Sequence, residues 1–80
     1  MNYNKGRVEA AKAHYPVGTR IELLGLCNYE RDMPLGLRGT VLAVDDQPAL
    51  IMRWDNGKGL SLLIGEDYFR KLSPEEVAAE

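Results

Sequence analysis

The alternation of apolar and polar side chains is clearest in the middle of the chain. Thr40-Val41-Leu42-Ala43-Val44 is apolar on both sides, a pattern that suits a strongly bent or bulged strand. In Leu50-Ile51-Met52-Arg53-Trp54, Leu50, Met52 and Trp54 share one side, while Ile51 and Arg53 share the other. Residues two apart lie on the same face of a strand, so both runs predict β-structure. Asp45-Asp46-Gln47-Pro48 between them is a turn by composition. Asn56-Gly57 follows, a pair that tolerates the positive φ of a type I′ hairpin. It predicts a return strand over Gly59-Leu60-Ser61-Leu62-Leu63, with Leu60 and Leu62 on the core side.

The flanks extend this reading. Arg20-Ile21-Glu22-Leu23-Leu24 alternates as a half-buried strand and breaks at Gly25. Gly36 and Gly39 lead into the central strand, where the chain must bend or approach a neighbour closely. After a turn at Ile64-Gly65-Glu66-Asp67, Tyr68-Phe69 reads as a single helical turn and Arg70-Lys71-Leu72 as a short last strand. Helical spacing appears only near the two ends. Arg7 to His14 is rich in helix formers, with Asn4 available as a cap and Val8, Ala11 and Tyr15 on one stripe. Pro16 ends that helix by pushing its predecessor toward extended geometry. Ser73-Pro74-Glu75-Glu76 has the form of a capping box and opens a brief helix through Ala79. The organisation expected is a helical lead-in over 1–15, a barrel over 16–72 and a helical tail over 73–80. Five short strands separated by glycine turns predict a mainly β fold, a small five-stranded antiparallel barrel.

Composition narrows the chemistry. Eighty residues make one domain near the lower limit for a core without staples. The single cysteine, Cys27, excludes an intrachain disulfide. With His14 the one imidazole, no structural zinc site is expected, and no cofactor either. Cys27 reads as a small buried hydrophobe and suits a reducing compartment; His14, at a helix end, reads as a partner for free carbonyls. No apolar run has membrane-spanning length, and the first residues lack the apolar core of a signal peptide, so a cytoplasmic location is expected. Catalysis finds no constellation. Cys27 and His14 form no adjacent nucleophile–base pair in sequence, the acid pairs Asp45-Asp46 and Glu75-Glu76 fall in a turn and a helix start, and Gly36-x-x-Gly39 opens no phosphate loop. The expectation is a non-enzymatic binding module.

The run Tyr15-Pro16-Val17-Gly18-Thr19-Arg20, then Gly36-Leu37-Arg38-Gly39-Thr40-Val41, Arg53-Trp54-Asp55-Asn56-Gly57 and Asp67-Tyr68-Phe69-Arg70-Lys71-Leu72, resembles a small family of bacterial and phage or plasmid proteins. That family is catalogued as a domain of unknown function. The resemblance covers about residues 7–72 and implies an SH3-like barrel and a mobile-element setting. The Trp-Asp-Asn-Gly pattern is also similar to other SH3-like modules that bind proteins or RNA.

Two binding surfaces follow. The first is a protein-partner site, for an accessory or inhibitor role, built on the long loop from Leu26 to Met33. Its candidates are Tyr29, Arg31 and Asp32, which have no evident structural duty, with Trp54 and Tyr68. Trp54 also reads as a core residue, because it shares a strand side with Leu50 and Met52; Asp55 and Asn56 read as turn residues. The second is nucleic-acid binding through Arg20, Arg38, Arg53 and Lys58. A formal net charge of -2, a pI near 5.4 and basic residues spread singly weigh against it, unless folding gathers those four on one face. A homodimer is a further expectation, if Ile51 and either Leu42 or Val44 form an outer apolar patch that the first helix leaves uncovered.

Overall fold

A computed structural model of the chain describes residues 5–26 and 33–80. Asn4 and Cys27, and with them Tyr29, Arg31 and Asp32 of the proposed loop site, lie outside the described residues. In chain order the elements are α1 (Lys5–His14), β1 (Arg20–Gly25), β2 (Arg38–Val44), β3 (Ala49–Trp54), β4 (Leu62–Leu63), β5 (Tyr68–Lys71) and α2 (Pro74–Ala78). The strands form one antiparallel sheet in the order β4-β3-β2-β1-β5.

Alternation decides the inner face. Ile21 and Leu23 of β1, Val41 of β2, and Leu50, Met52 and Trp54 of β3 are all at most 2% exposed and pack with Leu62. The two-sided apolar pattern of β2 is resolved by a bulge. Val41 pairs with Met52 but Ala43 with Ile51, so one residue, Leu42, is looped out between them. The insertion brings Val44 back toward the core, while Leu42 is left 45% exposed. This alters the outer patch on which self-association was expected.

Of the described glycines, Gly39 sits in the tightest space. It pairs with Trp54, and a Cβ at Gly39 would lie 2.7 Å from Trp54 Cε3 and 3.0 Å from the Arg53 carbonyl oxygen. The glycine is what lets the indole lie across β2. Trp54 Nε1 then donates to the Leu60 carbonyl at 2.8 Å, which satisfies its one polar atom. At the entry to β1, α1 lies against β2 with Val8 and Ala11 buried. Tyr15 continues onto the core and meets Phe69 edge-on at 5.6 Å, so the helical stripe adds to the inner side of the sheet.

Three expectations need correction. The turn after β3 is not type I′: only glycines among the described residues have positive φ, so Asn56 does not contribute one. Instead Gly57 N–H donates to the Trp54 carbonyl at 2.8 Å, Trp54 N–H to the Lys58 carbonyl at 2.9 Å, and Gly57 alone takes φ +89°. This is a three-residue loop with glycine in the left-handed position. The return strand is two residues, Leu62–Leu63, although Leu62 is fully buried and Leu60 packs on the core as expected. Tyr68-Phe69 is strand, not helix, because pairing with Gly25 and Leu23 of β1 overrides its local turn character. The fold is mainly β as expected, with five antiparallel strands in one sheet that does not close. β4 and β5 are its edges, and the segment between them folds back on itself: Asp67 N–H donates to the Leu63 carbonyl, while Asp67 Oδ2 accepts from Leu63 N–H at 2.9 Å.

The closing capping box forms as expected. Ser73 Oγ accepts from Glu76 N–H and Glu76 Oε1 accepts from Ser73 N–H, with Pro74 in the first turn. No helix among the described residues is long and apolar enough to cross a membrane.

Candidate functional site

Strand register builds the site. Thr40 lies opposite Arg20 on one side and Arg53 on the other, so these three side chains stand in a row across β1, β2 and β3. One step along, Glu22 faces both Arg38 and Arg70, giving a second row across β2, β1 and β5. Residues two apart share a face, so both rows stand on the sheet face opposite Ile21, Leu23 and Val41. Four arginines from four strands thus share the outer face.

The guanidinium of Arg20 is the centre. Its Nη1 and Nη2 donate to the two oxygens of Asp55 at 2.9 and 2.7 Å, and Nη1 also donates to Thr40 Oγ1 at 3.0 Å. The other edge of the fork, Nε and Nη2, donates to the two oxygens of Glu80 at 3.0 and 2.7 Å. Every N–H of the group is therefore used. Arg38 Nη1 donates to the same Glu80 oxygen at 3.2 Å, so one carboxylate bridges two guanidiniums. In the second row, Arg70 donates to both oxygens of Glu76 at 2.9 and 2.6 Å and to Glu22 at 2.6 Å. Asp55 is held in place by the turn: its N–H donates to the Arg38 carbonyl at 2.9 Å.

These bonds set the ionisation. Hydrogen bonds from Arg20 hold the carboxyls of Asp55 and Glu80 below the usual carboxylate range. Arg70 holds Glu76 down to about 2, helped by the Ser73 N–H. The acids correspondingly push Arg20 and Arg70 upward. Held down in this way, Asp55, Glu76 and Glu80 stay ionised at neutral pH.

Beside this lattice an open depression of about 500 Å³ is lined by Thr40, Arg53, Trp54, Asp55 and Gly57. Arg53 is exposed, and Lys58 is exposed on the loop that follows β3. Of the four residues proposed for nucleic acid, the register thus brings Arg20, Arg38 and Arg53 to one face, and leaves Lys58 on the adjoining loop. Of the protein-partner candidates, Tyr68 is 66% exposed at the start of β5, near Leu24 at 47%. Trp54 is corrected: at 1% exposure its ring belongs to the core, since the strand alternation and Gly39 carry it inward. At His14 the backbone carbonyl receives Lys71 Nζ at 2.7 Å, and the ring stands edge-on to Tyr15.

Sequence reasoning did not place Arg70, Thr40, Glu76 or Glu80 at a site. The signal was present in the parity of Arg20, Glu22, Arg38 and Thr40, but pairing partners are needed to read it. Among the described residues no group of three or more His, Cys, Asp or Glu side chains is placed to hold a metal ion. What the arrangement offers chemically is anion recognition by guanidinium forks.

These features define a small, mainly β domain with an arginine-bearing sheet face. Residues 4–72 match the family described as Domain of unknown function (DUF4314), and the chain belongs to that family. No curated protein and no solved structure matches it.

Proposed function

We propose that the chain is a non-enzymatic binding module that docks the phosphate backbone of a nucleic acid on the outer face of its sheet. The observation that carries this reading is the register that sets Arg20, Arg38 and Arg53 on one face of three adjacent strands, with Arg70 on the fourth. Arginine forks match phosphate oxygens in pairs, and the depression beside Thr40 and Arg53 adds room for a sugar or base. The strand order supports describing the open sheet as an SH3-like barrel, a scaffold that commonly displays its ligands on a sheet face and adjoining loops.

Titration with a short labelled RNA and with duplex DNA at low salt tests the reading. Binding should weaken steeply as salt rises, and Arg53→Gln and Arg38→Gln should each lower affinity and flatten the salt slope by about one unit. Absence of binding at low salt would end it.

A second reading is favoured by Tyr68 and Leu24, which stand exposed where β5 begins and β1 ends, Leu24 lying close in sequence to residues 27–32. There the ligand is a protein, and the module serves a mobile element as an accessory or inhibitor of a host system. Pull-down with Tyr68→Ala and with the triple change of Tyr29, Arg31 and Asp32 to alanine separates the two surfaces. Retained capture in both variants would remove this site. The genes that flank the coding sequence test the mobile-element setting.

A further inference from the structure

The outer face is crossed by a segment of its own chain. From Ser73 onward the chain folds over the sheet, placing Glu76 on Arg70 and Glu80 on Arg20 and Arg38. Very little else fixes it. α2 is five residues long and buries none of its side chains. Pro74, Val77 and Ala78 line only an open groove beside Thr19, Lys71 and Leu72, and Val77 remains 40% exposed. The segment is held by its capping box and by charge.

The seat under Glu80 is shaped for an anion from outside the sheet. Asp55 and Thr40 pin one edge of the Arg20 fork, and both belong to the sheet or its turn. The opposite edge, Nε with Nη2, and the neighbouring Nη1 of Arg38 converge on the two oxygens of one carboxylate. Two guanidiniums sharing one oxyanion is also the geometry that holds a phosphate. The distribution of charge agrees. Residues 1–72 hold all ten basic residues and nine of the twelve acids, a formal +1, and the remaining three acids bring the chain to -2. The family match ends at residue 72, so the arginines lie within it and the covering carboxylates outside it.

We infer that Arg20 and Arg38 form a phosphate seat, and that the segment from Ser73 to Glu80 is an acidic strap that fills it until a nucleic-acid backbone displaces it. The inference rests on the nucleic-acid reading above and adds to it a defined seat and an internal competitor. Arg20 and Arg38 are covered in the resting protein, and Glu80 is a stand-in for a backbone phosphate. Asp55 is a positioning residue that keeps the free edge of the Arg20 fork turned toward the strap.

The experiment is fluorescence anisotropy of a short labelled single-stranded RNA with the full chain at low salt. Wild type is compared with Glu80→Gln, with Glu76→Gln/Glu80→Gln, and with the latter carrying Arg38→Gln. Glutamine preserves shape and still serves at the third position of a capping box, and Glu80→Gln leaves that box untouched. Circular dichroism verifies the fold of each variant. Losing exposed ion pairs of this kind should tighten binding about three- to tenfold in the double variant, with a smaller gain for Glu80→Gln alone. Arg38→Gln should cancel most of the gain. If wild type binds and neither glutamine variant binds more tightly, the strap is wrong while the nucleic-acid face stands. If no variant binds, both fall. If poly-glutamate displaces the RNA as well as unlabelled RNA does, the seat recognises carboxylates of an acidic protein and the phosphate assignment is overturned.

Discussion

Arg53 and Trp54 are adjacent in β3, yet one side chain stands exposed and the other is 1% accessible. The faces they belong to are held by different physics. Inside, Trp54, Met52, Leu50 and their neighbours gain by removal from water, and the fit is tight enough that Gly39 has no room for a methyl group. Outside, guanidiniums and carboxylates remain partly hydrated, with the side chains of Arg20, Glu80 and Asp55 at 18%, 27% and 51% exposure. Such pairs contribute little to stability individually, but they fix geometry and can exchange partners. The inner face specifies the fold, and the outer face keeps its charges in exchangeable pairs.

The comparison breaks most visibly at Trp54. Trp54→Ala removes the largest fully buried side chain and should cost about 3–5 kcal/mol, a large share of what a domain of this size has. Urea denaturation would show the lowered midpoint. Next is Gly39→Ala, which forces its Cβ against the indole and the Arg53 carbonyl. A loss of about 1–3 kcal/mol is expected, with a shift of the Trp54 fluorescence spectrum. Ser73→Ala removes the acceptor for Glu76 N–H and should cost about 1 kcal/mol at most in the last helix. Amide exchange at residues 76–79 should quicken with the melting temperature nearly unchanged, because α2 buries no side chain.

The smallest stability effect belongs to the outer lattice, where pH sharpens the contrast. Glu76 is held down to about 2 by Arg70, so it is lower in the folded chain than in the unfolded one. A depressed carboxyl contributes fully above its unfolded value, 4.5, and the contribution disappears as pH falls from there through about 2. Carboxyl-carbon NMR should give a Glu76 midpoint near 2. Arg70→Gln should raise it toward the ordinary glutamate range, with the Ser73 N–H still holding it below. An unchanged midpoint in that variant would mean the Ser73 N–H, not the ion pair, holds the carboxyl down.

Much of the inner face is legible in the amino-acid sequence alone. Leu50, Met52 and Trp54 are placed by period-two alternation, and the closing capping box by four residues in order. What is not legible depends on partners. Tyr68-Phe69 becomes strand only because β1 supplies an edge. The two-residue β4 reflects Asp67 closing its own turn, which alternation does not register. The type I′ expectation fails because Gly57 alone supplies the left-handed residue. The outer face is half legible: Arg20, Arg38 and Arg53 can be named singly, while their common face follows from a register that no single strand encodes.

The pairing of β1 with β5 has a consequence in time. Arg20–Gly25 is made early in synthesis, but the strand that covers its outer edge, Tyr68–Lys71, is made more than forty residues later. A ribosome at about 5–20 residues per second therefore leaves that edge unpaired for some seconds. The β2–β3 hairpin has its whole sequence available well before then and is the natural nucleus. During this interval β1 presents open backbone donors and acceptors, the kind of edge on which chains pair wrongly. Glu22, flanked by Arg20, makes its exposed side charged in advance, so the residues that later sit in the ion lattice first serve as guards of an unfinished sheet.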